Sequence, residues 1–280
     1  MDMLNGSIWD KILKMAIPLA ASGILQQLFN AADIAVVGQF VGGSALAAVG
    51  ANSPVINLLV NLFVGLSVGA NVVISTAFGE RSARSISRGV HTSILVSLLS
   101  GVFLAVIGVV FARPILEFIS TPSDILEQAI LYLRIYFVGM PFIMLFNFAA
   151  AVLRSKGDTR RPFYVLLVSG AVNVVFNLFF VLVCKMDVEG VAIATVIANV
   201  VSSVSLVYFL MHEVGPLKFE FWKLRITPFI FKRIVHIGLP AGLQGVVFSF
   251  SNVCIQSAIN SLGSATIAAS AAALNYEYFI

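Results

Sequence analysis

The sequence predicts an all-α polytopic membrane protein, and three observations carry that prediction. Hydrophobic residues fill 59% of the 280 positions and charged residues only 11%. A soluble domain carries about 25% charge, so these few charges could not cover a water-facing surface. Apolar runs near 12–40, 52–78, 91–112, 129–153, 163–184, 190–211 and 234–261 each reach the ~20 residues a helix needs to cross a ~30 Å hydrocarbon core. The runs are long and lack the strict alternation of a membrane barrel.

Each span has its own signal. Lys11 and Lys14 precede span 1, whose apolar run continues past Val36 and so exceeds the length of a signal-peptide core. No charge lies between Asp33 and Glu80, a stretch that must hold the end of span 1, a short connection and all of span 2. Pro18, Gly65, Gly69, Pro141 and Gly170 fall inside spans, which membrane helices accept. After span 6, Gly215-Pro216 breaks the chain and Thr227-Pro228 reads as a helix start,. Phe229–Arg233 suits a short helix in the interface. An eighth span begins near 268 and stops at Ile280. The domains expected are a six-helix lobe over 1–211, a cytoplasmic linker with an interfacial helix over 212–233, and the truncated start of a second lobe over 234–280. Cys184 and Cys254 lie in apolar runs and carry no redox information.

Orientation follows from the placement of Lys and Arg. Lys11, Lys14, Arg81, Arg84, Arg88, Arg154, Lys156, Arg160, Arg161, Lys218, Lys223, Arg225, Lys232 and Arg233 fall on one side of the alternating spans. Only Arg113 and Lys185 fall on the other, and Arg134 lies within span 4. Basic loops stay cytoplasmic, so the N-terminus is expected there, in an inner (plasma) membrane. The formal net charge of +4 is thus a topology signal, and no nucleic-acid partner is implied.

A repeat of about 220 residues supports two lobes. Ile12–Pro18 resembles Ile234–Pro240, Gly23 matches Gly245, Asn30 matches Asn252, and Gly43-Ser44-Ala45 matches Gly263-Ser264-Ala265. With six spans between the copies, span 7 enters from the same side as span 1, which gives a parallel repeat about an axis along the membrane normal. Two full copies would need roughly 440 residues. The chain is therefore expected to be incomplete, with the missing C-terminal half required for function.

Polar residues inside the spans are the candidate site. Asp33 lies about 27 Å along the helix from Met15. A carboxylate at that depth costs ~2.5–3.5 kcal/mol on insertion scales and marks function by default; the competing reading is a residue solvated at the outer boundary. Ser22, Gln26, Asn30 and Asp33 share one helix face,. Asn57 and Asn61, Asn173 and Asn177, and Thr195 and Asn199 are i, i+4 pairs. Any one pair reads most simply as a helix–helix hydrogen bond. Asp33, Asn173, Asn177 and Thr195 together offer oxygen ligands suited to a hard cation. Gln26, Asn30, Asn57, Asn61 and Asn199 would line a substrate cavity or support the polar face. His91, His212 and His236 all fall at cytoplasmic helix ends, which does not suit a metal cluster.

Several segments resemble the N-terminal part of the multidrug and toxic compound extrusion (MATE) family. They are Asp33-Ile34-Ala35-Val36-Val37-Gly38, Ala45–Gly50, the loop Leu153-Arg154-Ser155-Lys156-Gly157-Asp158-Thr159-Arg160-Arg161-Pro162, Gly190–Thr195 and Gly238-Leu239-Pro240-Ala241. The resemblance implies two six-helix lobes and export of small organic, often cationic, compounds by antiport with sodium or protons. It implies no cofactor beyond that coupling ion, and no enzymatic activity. It places Asp33, Asn173, Asn177 and Thr195 at the cation site. Many relatives carry Asp where this chain has Asn177, which tilts the expectation towards sodium. Glu277 resembles an acidic position of some members. The competing readings are a lipid-linked oligosaccharide flippase of a related superfamily, which would need several inward Lys or Arg where only Arg134 is available, and an inactive transporter remnant. An intramembrane transferase lacks its acidic cluster.

Overall fold

The structure is a computed structural model that describes residues 8–277. Helix dominates because in lipid each backbone N–H and C=O must be satisfied within its own segment. The order is α1 (Ile8–Val36), which unwinds into a π-helical turn (Val37–Val41), then α2 (Gly43–Gly79), α3 (Ala83–Phe118), α4 (Leu126–Val138), α5 (Met140–Ser155) and α6 (Arg160–Leu178). A second π-helical turn (Phe179–Val183) follows α6, then α7 (Val188–Met211), a single 3-10 turn (Phe221–Lys223), α8 (Pro228–Asn260) and α9 (Ser264–Glu277). The described residues form an all-helical polytopic membrane protein.

Two expectations need correction. The fourth span is not one straight helix: α4 and α5 meet at a 47° bend. Gly139 sits at the break and Pro141 follows it; proline has no N–H to carry the ladder through. The bend is locked by α3, where an added Cβ on Gly101 would lie 2.4 Å from Pro141 and one on Gly108 would lie 1.9 Å from the Phe137 ring. Nor is there a separate interfacial helix over Phe229–Arg233. Pro228 opens α8 itself, which continues unbroken to Asn260, because nothing between Phe229 and Leu239 breaks the backbone ladder.

Leu104, Leu116, Ile125, Leu133, Phe137 and Met144, all fully buried or nearly so, form the main core among α2, α3, α4, α5 and α7. A second cluster at the basic end joins Ile74, Ile86, Val90, Ile94, Leu153 and Leu210 to Phe219 of the linker. The linker is tied down there. His91 Nε2 accepts from the Glu220 N–H at 3.1 Å, while Nδ1 lies 2.7 Å from Ser87 O. Thr92 Oγ1 accepts from the Thr227 N–H at 3.1 Å. Glu213 is buried and pairs with both Lys156 and Arg161. The loops rich in Lys and Arg therefore share one end of the bundle.

The start of the second copy packs on the first lobe. α8 runs antiparallel along α2, and the seam is glycine. An added Cβ on Gly65 would lie 2.2 Å from Gly242 N, and one on Gly69 would lie 2.4 Å from Ile234 O. Small residues let two backbones approach, which is what drives helix association in lipid. The spacings Gly65-x3-Gly69 and Gly238-x3-Gly242 announce such a seam. Arg134 is exposed, and Glu127 at the start of the same helix pairs with Arg113.

Candidate functional site

The site is built by three helices. α1 carries Asp33, α6 carries Asn173 and Asn177, and α7 carries Thr195. The i, i+4 spacing on α6 stacks its two amides on one face, and both are buried. Asn177 donates through Nδ2 to Asp33 Oδ1 at 2.5 Å. The same amide lies 3.4 Å from Asn173 Oδ1. Asn173 Nδ2 in turn donates to Thr195 Oγ1 at 3.4 Å, and that hydroxyl donates to Val191 O at 3.0 Å. The four residues thus form one continuous polar chain from α1 to α7.

One atom of the chain is left over. Asn177 Oδ1 is buried with no hydrogen-bond partner, a condition that costs about 1–3 kcal/mol. An orphaned amide oxygen beside a carboxylate fits a cation that takes oxygen ligands. Both helices that supply the 2.5 Å contact unwind just beyond it, α1 into the π turn at Val37 and α6 into the one at Phe179. Such turns, here closed by i→i+5 bonds from Gly42 N–H to Val37 O and from Cys184 N–H to Phe179 O, are frequent at functional sites.

The other expected polar residues do not join this chain. Gln26 is exposed, and Asn30 donates to Gln27 Oε1 at 3.1 Å. Asn57 is exposed. Asn61 donates to Ser249 Oγ on α8 at 2.8 Å and so fastens the helix seam. Asn199 returns to its own helix, at Thr195 O. The side chain of Glu277 lies outside the described residues. Tyr132 and Tyr136 on α4 are additions: both lie within electrostatic reach of Asp33, and their rings stack at 6.1 Å. Their i, i+4 spacing in an apolar span was the available signal. Among the described residues no three His, Cys, Asp or Glu side chains gather.

Comparison with known proteins places this geometry. The MatE family model matches residues 18–179, more than half of the chain. The probable multidrug resistance protein YoeA of Bacillus subtilis (strain 168) is 30% identical over 270 residues, which are 94% of this chain and 58% of that protein. An inward-facing structure of a multidrug resistance MATE family transporter of the MOP superfamily matches with a TM-score of 0.82 at 25% identity, over 93% of this chain and 60% of the other. An outward-facing structure of such a transporter matches with a TM-score of 0.79 at 27% identity, over 86% and 54%. The chain therefore spans somewhat over half the length of the proteins it matches.

Proposed function

From the premise that this chain belongs to the MatE family, we propose that it supplies one lobe of a secondary active transporter that exports small organic compounds, cationic ones among them, in exchange for sodium or protons. The observation that carries the reading is the Asp33–Asn177 contact with its orphaned amide oxygen. It is supported by relatives such as the probable multidrug resistance protein of Bacillus subtilis.

The chemistry needs little movement. A sodium ion seated at Asp33 takes a carboxylate oxygen, and turning the Asn177 amide about its terminal bond presents Oδ1 in place of Nδ2. Asn173 Oδ1 and Thr195 Oγ1 stand next in the chain as further neutral ligands. A proton on Asp33 would occupy the same place, because a neutral carboxyl donates to the turned Asn177 Oδ1. Sodium and protons then compete for one carboxylate, and whichever binds swaps the hydrogen bond that joins α1 to α6. Along its 29 residues α1 buries only Ser22 and Val36 among the described side chains, so a bond changed at Asp33 acts on an element free to shift. Outward release of substrate coupled to inward ion flow follows if that shift opens the lobe to the substrate.

Export needs a second lobe to close the cavity. In the inner membrane, the basic end of the bundle faces the cytoplasm by the positive-inside rule. Cysteines at Ser85 and Lys156 should then react with an impermeant reagent only after the membrane is opened. The direct test of the site is sodium titration of the purified chain in detergent. Saturable binding that protons displace, and that Asp33→Asn removes while the helical spectrum is kept, is the expected result. Ion-gradient-driven export by the two-lobed protein that survives Asp33→Asn would sink the reading and make Asp33 a boundary carboxylate.

A further inference from the structure

A second polar feature lies at the basic end, far from Asp33. Between the start of α3 and the linker is a cavity of about 330 Å³ lined by Ser87, Arg88, His91, Trp222, Lys223 and Arg225. Three cations face it. Lys223 is paired with Glu220, while no described carboxylate pairs with Arg88 or Arg225. Its wall is rigid, because His91 and Thr92 hold the linker on both sides of the 3-10 turn that carries Trp222 and Lys223.

Depth and aromatic character identify the ligand. Arg88 precedes residue 91, where the third apolar run begins, by three residues, or about 4.5 Å along the axis. The headgroup layer is ~5–8 Å thick on each side of the hydrocarbon, so an Arg88 guanidinium reaches the level of lipid phosphates. Trp222 is 99% exposed and Phe221 beside it 55%. Exposed tryptophan is costly in water and favoured at the membrane interface, where its ring and N–H are both satisfied. A soluble anion would use the three cations but leave Trp222 without a role.

The structure assigns this cavity to the phosphate headgroup of an anionic glycerophospholipid, held by Arg88, Lys223 and Arg225 with Trp222 against the upper acyl chain. Basic pockets at this level of a membrane protein recognise anionic headgroups, and the guanidinium fork suits a phosphate. The site does not depend on which ion or substrate is transported. It would tie the linker that leads into α8 to the lipid composition of its leaflet.

The chain has two tryptophans, Trp9 and Trp222, so Trp9→Phe leaves one reporter at the site. The full chain in that background is reconstituted into phosphatidylcholine vesicles. Phosphatidylglycerol or phosphatidylcholine brominated near the carbonyl end of the acyl chain is then titrated in. Trp222 emission should be half-quenched at an at least fivefold lower mole fraction of the phosphatidylglycerol. Each of Arg88→Gln and Arg225→Gln should lower that preference about fivefold or to nothing. Arg88→Lys should keep most of it, and Lys232→Gln, outside the cavity, all of it. Equal quenching by the two lipids, or a preference that survives Arg88→Gln with Arg225→Gln, overturns the assignment. So does loss of the preference when millimolar inorganic phosphate is added, which would mark a soluble-anion site. All four substituted residues are exposed, so the variants keep the fold.

Discussion

α1 and α8 are copies of one sequence pattern, yet they are held in opposite ways. Ile12–Pro18 aligns with Ile234–Pro240 and Gly23 with Gly245. On α8 the glycines are consumed by packing: Gly238 and Gly242 press on the backbone of α2, and an added Cβ on Gly245 would lie 3.2 Å from Asn61. On α1 the matching Gly23 has nothing within 4 Å of an added Cβ. α1 is instead fixed by one knob, Phe29, which lies so close over α6 that an added Cβ on Gly170 would fall 1.8 Å from its ring, and by the Asp33–Asn177 bond. The same helix, repeated, becomes a strut where glycine lets backbones meet and a loosely seated element where it does not. Asp33, the carboxylate proposed to bind the ion, sits on the loosely seated copy.

The largest effect should come from breaking the strut. Gly242→Leu forces a branched side chain into a contact where even a Cβ would lie 2.5 Å from Leu62 O, and overpacking of this kind costs about 1–3 kcal/mol or more. A cysteine pair at Asn61 and Ser249, whose side chains meet at 2.8 Å, should cross-link readily in the parent chain. In Gly242→Leu it should not, and the apparent melting temperature in detergent should fall by several degrees. Efficient cross-linking in the variant would show that the seam tolerates separation.

Next in size is loss of the seat of α1. Gly170→Val should push Phe29 out, separate Asp33 from Asn177, and abolish saturable sodium binding while leaving the Asn61–Ser249 cross-link intact. If sodium binding persisted, the position of α1 would not govern the site.

A smaller effect is expected at the linker into α8. Burial alone would raise the pKa of Glu213, but hydrogen bonds from Lys156 and Arg161 outweigh it and hold the carboxyl below its ordinary 4.5. A depressed folded-state pKa adds stability that is present above about pH 4.5 and lost as pH falls through the folded value. Lys156 and Arg161 are each about 40% exposed, so the pairs together are worth about 1–2 kcal/mol. Glu213→Gln should lower the melting temperature at pH 7, and the gap to the parent should close as the pH drops below 4.5. A gap constant from pH 7 to 3 would remove the ion pairs as its cause.

The smallest effect is the control. Gly23→Ala meets empty space and reduces the freedom of the unfolded chain, so it should be neutral or stabilise by about 0.4–1 kcal/mol. The matched Gly245→Ala should do worse, because Asn61 must give way. Equal shifts at the two glycines would erase the comparison between the helices.

Much of this was legible in the residues. The resemblance to the MATE family singles out Asp33, Asn173, Asn177 and Thr195, whereas the placement of the spans and the shared end of the basic loops follow from composition and periodicity, because hydrocarbon penalises each misplaced charge and each open backbone group. These rules act residue by residue and need no partner. What required the tertiary structure depends on which surfaces meet. Nothing in a list of i, i+4 pairs separates Asn177, which reaches Asp33, from Asn61, which fastens α8, or from Asn199, which folds back on its own helix. The bend at Gly139 belongs to the clamp from Gly101 and Gly108 as much as to the local sequence. The orphaned oxygen of Asn177 exists only because its amide hydrogens are turned towards Asp33. Periodicity assigns a polar side chain to a face; only the neighbour across that face decides whether it becomes a ligand, a fastener or a bond to its own backbone.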